Sequence, residues 1–132
     1  MTSMLDQIGG ETALRKLVAH FYDLMEQAEE AAPLLDLHMD GHGLAHTREE
    51  QFNFMSGFLG GRQYYLEKHR HMNLRDIHAH VPIHNSDAQL WLDLMDRTLN
   101  ELGHVGSEMD RLRATLRRVA LMLVNDRKVP GA

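Results

Sequence analysis

Cysteine is absent from the chain. Disulfides, thiolate metal sites and cysteine-held iron–sulfur clusters are therefore excluded, and the composition fits a cytoplasmic protein. Long apolar runs are also missing. None approaches the ~20 residues that a membrane-spanning helix needs. The opening residues Met1 to Asp6 have neither a basic start nor a long apolar centre, which predicts no secretory signal. Positive charge is in deficit: the net charge is −5 with neutral histidines. A nucleic-acid binder would show a basic face instead. There is no alternating strand pattern, no internal repeat and no low-complexity tract. The expectation is a cytoplasmic protein with neither nucleic acid nor membrane as partner.

What remains is one domain's worth of chain. Its 132 residues can bury a sizeable core without staples. Ten histidines and nine methionines are many for this length. Histidine is the commonest metal ligand and methionine fills irregular apolar gaps, but both also occur as surface and core filler.

Helical periodicity dominates. Gly9-Gly10 break an initial segment, and a helix is predicted from Glu11 to about Gln27 with Leu14, Leu17, Val18, Phe21, Leu24 and Met25 as its apolar stripe. Tyr22 lies beside that stripe. The segment before Pro33 ends this helix, because residues preceding a proline avoid the helical region. Pro33 to Met39 reads as a short helical turn. A second helix runs from Ala45 or Thr47 to Leu59. Thr47, Gln51, Phe54, Met55 and Phe58 share one of its faces, so Gln51 is a polar residue among apolar ones. Gly60-Gly61 stop it, and Arg62 to Asn73 reads as a loop or frayed turns. Leu74 to Ala79 is a short helix carrying His78. Ser86 to about Gly103 and Glu108 to about Val124 are the last two helices. Met109, Leu112, Leu116, Val119, Ala120 and Leu123 face inward on the second. Four substantial helices with short ones between predict an all-α domain.

The stretch from His78 to Met95 carries the sharpest chemistry. Its first half is short, rich in histidine and stopped by Pro82, which lacks an N–H. Its second half opens a helix that Ser86 or Asn85 can cap and Asp87 suits. Along it Trp91, Leu94, Met95, Leu99 and Leu102 follow a helical period. A histidine set just ahead of a bulky apolar face is what a flat, apolar, metal-centred cofactor needs.

His78, Ile83, Trp91-Leu92 and Met95 at these spacings resemble the proximal-histidine region of the truncated haemoglobins, group II in particular. The likeness runs from about Leu5 to Asn125. Ile8-Gly9-Gly10 then Phe21-Tyr22, Phe58-Leu59-Gly60-Gly61 then Tyr65, His71 and Leu74 before His78, and Val124-Asn125 all stand in family order. There are departures. Arg62, Met72, Ile77 and His80-Val81-Pro82 replace residues usual in the family, and they bear on the propionate contacts more than on the haem.

The resemblance implies a globin-like, truncated two-on-two helical sandwich in one domain (residues 1–132, core about 5–125) that holds haem b. His78 becomes the axial iron ligand, its second ring nitrogen donating to a carbonyl that fixes its orientation; His80 and His84, which flank Pro82, are the nearby rivals. Tyr22, Gln51 and Trp91 would face the opposite side. A phenol O–H, an amide N–H and an indole N–H can each donate to a polarised diatomic ligand, and such bonds strengthen in an apolar pocket. Taken alone, each has a plainer role: a surface tyrosine, a solvated glutamine, a packed tryptophan. His38, or Met39 one residue on, would add a pocket residue, and a histidine there would let pH modulate ligand release. Thr47 would leave the entrance open; it also suits a helix cap. Tyr65, Arg62, Lys68 and His71 are the propionate candidates, and Phe54, Trp91 and Met95 would pack on the ring.

The function implied is binding of O2, CO or NO, with several donors slowing O2 release. That suits a sensor, scavenger or redox catalyst better than an oxygen transport role. NO dioxygenase or peroxidase-like chemistry belongs to the same family, but no residue marks a site for a reductase. The chain is expected to be a monomer or weak homodimer. Two other readings exist. A non-haem di-iron bundle would use His46 and Glu50, four apart on a helix, but a second such pair is missing. A cofactor-free helical interaction module would be colourless.

Overall fold

A computed structural model describes residues 3–40, 43–70 and 82–125, with Met39 and Asp40 as backbone alone. His71, His78 and His80 lie outside the described residues, as do Met72, Ile77 and the short helix expected over Leu74 to Ala79. The elements are α1 (Met4–Ile8), α2 (Gly10–Gln27), a 3-10 turn (Glu29–Ala31), α3 (Ala32–Asp40), α4 (Leu44–Phe58), α5 (Tyr64–His69), α6 (Asn85–Glu101) and α7 (Ser107–Met122). The described residues contain no strand.

Gly9 is the joint between the first two helices. It ends α1 and precedes α2 at φ 112°, a left-handed conformation in which a side chain is strained. From there the predicted stripe of α2 goes wholly inside: Leu14, Leu17, Val18, Phe21, Leu24 and Met25 are all buried, and Tyr22 is fully buried with them. Each such side chain contributes roughly 1.5–3 kcal/mol of burial.

Two antiparallel pairs cover that core. The first is α2 with α4. Arg48 binds Asp23 and Glu26, Gln51 meets Tyr22, and Arg15 lies over Phe52. As numbers rise along α4 they fall along α2. The second pair is α6 with α7, closed at one end by Arg113, which reaches Asp96 and Asn100. At the other end Ile83 and Asn125 exchange hydrogen bonds of 2.7 and 3.0 Å. Between the pairs, Phe21 of α2 packs on Trp91 of α6 with ring centroids 5.2 Å apart.

Several expectations are corrected. Ala32, which precedes Pro33, is helical (φ −52°, ψ −44°), and Pro33 sits in the first turn of α3. First-turn N–H groups lack helical partners anyway, so the missing donor costs nothing there. What ends α2 is the extended Ala28. The cap of α6 is His84, not Asn85 or Ser86; its backbone N–H donates to the Asp87 carboxylate at 2.9 Å. Arg62 to Asn73 is not all loop, since Tyr64–His69 form α5. A helix of six residues has no amphipathic period of its own and is held by tertiary bonds. Gln63 donates to the Gly57 carbonyl, Ser56 to the Arg62 carbonyl, and Tyr64 to Glu11 of α2. On α7 only Met109, Leu112 and Leu116 are buried, while Val119, Ala120 and Leu123 are partly covered.

Gly61 allows the turn after α4 to close on α1. A Cβ there would overlap Leu5 Cδ2 and stand 3.1 Å from the Ser56 carbonyl oxygen. Leu5 cannot easily retreat, because it is buried and its N–H is bound to the Leu59 carbonyl at 3.0 Å. Gly61→Ala is expected to destabilise the fold by about 1–3 kcal/mol, the usual range for overpacking. A thermal midpoint unchanged from wild type would show that α1 yields freely.

Candidate functional site

The α2–α4 crossing, with α3 and α6 beside it, gathers the expected distal residues. Tyr22 has no exposed surface. Its hydroxyl donates to Gln51 Oε1 at 3.5 Å, its one hydrogen bond among the described residues. That is long, since hydroxyl bonds to oxygen cluster near 2.7–2.8 Å. A buried phenol with so weak a partner retains donor capacity for another acceptor. Burial pushes its pKa well above the ordinary phenol value, against a smaller pull downward from the Arg48 charge. It therefore stays protonated, and a donor, throughout the physiological range.

His38, on α3, stands edge-on to Tyr22 at 5.8 Å between ring centroids. Its Nδ1 and the Leu34 carbonyl are 2.8 Å apart, a bond in which the ring nitrogen donates and which fixes the orientation of the imidazole. The side chain of Met39 lies outside what is described. Trp91 is partly buried and its ring packs at a tilt against Phe21, which in turn meets Tyr22 at 4.9 Å. Thr47 is partly buried, and its hydroxyl donates at 2.8 Å to the Gly43 carbonyl of its own helix. It neither caps α4, where Gly43 is the cap, nor spends its proton elsewhere.

The ring-packing candidates separate. Phe54 is partly buried, stacked on Phe58 at 5.5 Å and edge-on to Tyr65 at 6.0 Å. Leu35, Leu44, Leu90 and Trp91 are likewise only partly covered apolar groups. Met95 is buried in the core, where it borders a cleft between α6 and α7 with Leu92, Leu99 and Leu116. Half-covered aromatics on α4 and α6, with a protonated phenol and an amide behind them, fit a flat apolar cofactor that carries a polar ligand.

Of the propionate candidates, Arg62, Lys68 and Tyr65 are already engaged with neighbours, and His71 lies outside the described residues. Arg62 forms a two-pronged pair with Glu67 at 2.9 and 3.1 Å and lies over the Tyr64 ring. Lys68 donates to Glu50 at 2.7 Å. Tyr65 is buried and stacks on His69 at 4.4 Å. His84 sits against Asp87 at 3.2 Å. Glu50, one member of the di-iron alternative, is taken up by Lys68 and by His69 at 2.5 Å. Among the described residues no group of three or more histidines and carboxylates is arranged to hold a metal. No helix of the described residues is long and apolar enough to cross a membrane.

Two features around this site were not read from the sequence. One is the Glu50 clamp between α4 and α5. The other is Arg48, which crosses from α4 to α2 beside Tyr22. Arg48 is three residues before Gln51, and Asp23 and Glu26 are three apart just after Tyr22. That spacing is visible in the chain, but their meeting depends on how α2 and α4 cross.

Residues 3–125 match the bacterial-like globin family. The group 2 truncated haemoglobin YjbI of Bacillus subtilis (strain 168) is 31% identical over 88% of this chain and 84% of its own length. A group II 2-on-2 haemoglobin from Agrobacterium tumefaciens superposes with a TM-score of 0.89 at 28% identity, covering 96% of this chain and 97% of that one. A truncated oxygen-avid haemoglobin from Bacillus subtilis gives 0.81 at 30% identity, over 94% of this chain and 100% of that one. The all-α, two-on-two architecture expected from the sequence is the fold this chain has.

The Glu50 clamp gives a pH signature. Burial works to raise its carboxyl, but hydrogen bonds from Lys68 and His69 outweigh that and hold it below the ordinary 4.5. A depressed folded pKa gives stability that is complete above the ordinary value and is lost as pH falls through the folded one. Glu50→Gln is expected to cost up to about 1 kcal/mol at neutral pH, the range for partly solvated pairs. The gap to wild type closes in acid below the ordinary glutamate value. Thermal midpoints measured from pH 7 to pH 3 check this; a gap that stays constant across the series would mean the carboxylate charge contributes nothing.

Proposed function

The chain belongs to the bacterial-like globin family, as a truncated haemoglobin of group 2, and from that premise we propose that it binds haem b through His78 and retains O2 against Tyr22, Gln51 and Trp91. The observation that carries the reading is the fully buried Tyr22, whose hydroxyl is 3.5 Å from Gln51 and whose ring stands edge-on to Phe21 and His38. Haem would supply the iron at which O2, CO or NO binds. The absence of cysteine supports the b type, since it leaves no thiol for thioether attachment of the porphyrin.

The chain's own residues would do the rest. The phenol of Tyr22 holds its proton because burial opposes ionisation. It presents that proton to a ligand oxygen inside an apolar enclosure, where a hydrogen bond counts for more than in water. Gln51 keeps the hydroxyl oriented until a better acceptor arrives. Trp91 closes the α6 side and adds an indole donor. His38, oriented through the Leu34 carbonyl, places a titratable ring beside Tyr22. Thr47 leaves the α4 side open, since its hydroxyl is turned to its own helix. Several donors around one ligand favour retention over delivery, so the pocket suits sensing, scavenging, or redox chemistry of NO or peroxide. A redox role would draw electrons from a separate reductase.

Absorption spectra of the purified protein are the first test. A Soret band that shifts on reduction and again with CO is expected, and a protein that stays colourless after haem is added would end the reading. His78→Ala is expected to abolish normal coordination; an unchanged spectrum would transfer the ligand role to another histidine. Tyr22→Phe and Trp91→Phe are each expected to speed O2 release, by about 10-fold for each ~1.4 kcal/mol of hydrogen bond removed. Stopped-flow release rates equal to wild type in both would show that the donors are misassigned.

A further inference from the structure

The Tyr22–Gln51 contact joins two helices, so something must fix how they cross at that point. Arg48 lies one turn before Gln51 on α4. Its guanidinium reaches across to α2 and donates to the Ala19 carbonyl at 3.3 Å, Asp23 at 2.9 Å and Glu26 at 3.4 Å. These three acceptors bracket Tyr22 in sequence, one turn before it, next to it and one turn after it. The guanidinium carbon is 5.7 Å from the centroid of the Tyr22 ring. No other described side chain ties α4 to α2 on both sides of Tyr22.

We propose that Arg48 is a positioning residue of the ligand pocket, locking the α2–α4 crossing where Tyr22 meets Gln51 and holding a positive charge against the Tyr22 ring. Two effects follow. The tether sets the distance between the hydroxyl and the amide, and so how readily the hydroxyl turns to a bound ligand. The charge opposes the effect of burial on the phenol, which makes its O–H more acidic than burial alone would leave it. A more acidic O–H is a stronger donor. Asp23 and Glu26 keep the guanidinium in place; both are about half exposed, while the Arg48 side chain is 29% exposed.

The plainer role is a salt-bridge staple with no effect on the pocket. Arg15 offers the comparison. It lies over the Phe52 ring at 3.9 Å on the same α2–α4 interface. It is seven residues from Tyr22, about 10 Å along the helix. Stapling there holds the helices together without touching the phenol.

The inference rests on the proposed haem pocket, and the test separates the two. The haem-loaded proteins to compare are wild type, Arg48→Met, Arg48→Lys, Arg15→Met, Asp23→Asn and Tyr22→Phe. The readouts are the C–O stretch of the carbon monoxide complex, the O2 release rate and the thermal midpoint. Arg48→Met is expected to release O2 about three- to fivefold faster, which at 1.4 kcal/mol per tenfold is about 0.7–1 kcal/mol. Its C–O stretch should move to higher frequency, in the direction of Tyr22→Phe and by less. Arg48→Lys, which keeps the charge, should recover part of both, and Asp23→Asn should show a smaller shift of the same sign. Arg15→Met should lower the midpoint and leave the stretch alone. If Tyr22→Phe moves stretch and rate while Arg48→Met changes only the midpoint, Arg48 is a staple and the proposal is overturned. If Tyr22→Phe moves neither, the pocket reading itself fails and the Arg48 assignment falls with it.

Discussion

Burying a phenol costs free energy unless its hydroxyl finds a hydrogen-bond partner. Tyr22 has no exposed surface and, among the described residues, a single long bond to Gln51. Placing it there requires α2 to turn a polar group inward beside its apolar stripe, and α4 to cross at the level of Gln51. Much of the architecture can be read as support for that one crossing. Arg48 and Arg15 join α4 to α2, Tyr64 reaches back to Glu11, and α6 seals the far side through Trp91 on Phe21.

The short elements follow from the same demand. Helix α4 must stop where α1 can pack beneath it, and the Gly60-Gly61 turn lets Leu5 approach closely enough to bind the Leu59 carbonyl. Helix α5 is then held by Gln63, Tyr64 and the Glu50 clamp rather than by its own propensity. This places Tyr65 against Phe54, with His69 against Tyr65. Helix α4 thus carries a polar and an apolar contact, with Gln51 facing α2 and Phe54 facing α5.

The charges near the site are divided between two tasks. On the α5 side they are consumed in pairs: Arg62 with Glu67, and Lys68 and His69 with Glu50. On the α2 side Arg48 keeps one positive charge against an aromatic ring, between two carboxylates that stay in solvent. The first arrangement secures a helix. The second sets a positive charge beside the ring of the residue proposed to meet the ligand.

The amino-acid order by itself determined the helices that have a period: the stripe from Leu14 to Met25, then Leu94, Met95 and Leu99 of α6, and the face of α7 through Leu116 went inside as read, while Trp91 is only partly covered. It also marked Gln51 as a polar residue on an apolar face and Tyr22 as the neighbour of a core position, because those are local properties of a 3.6-residue repeat. Tertiary structure alone decided the rest. Whether Tyr22 was a surface tyrosine or a buried one depended on α4 crossing over it. Six residues of α5 could not declare themselves, and His84 displaced Asn85 and Ser86 as a cap because Asp87 turned back to its N–H. Arg48 was only a charge on a helix until α2 lay beside it. Periodicity fixes which face of a helix is buried, but the register between two helices is set by packing between residues far apart in the chain, and no local pattern encodes it.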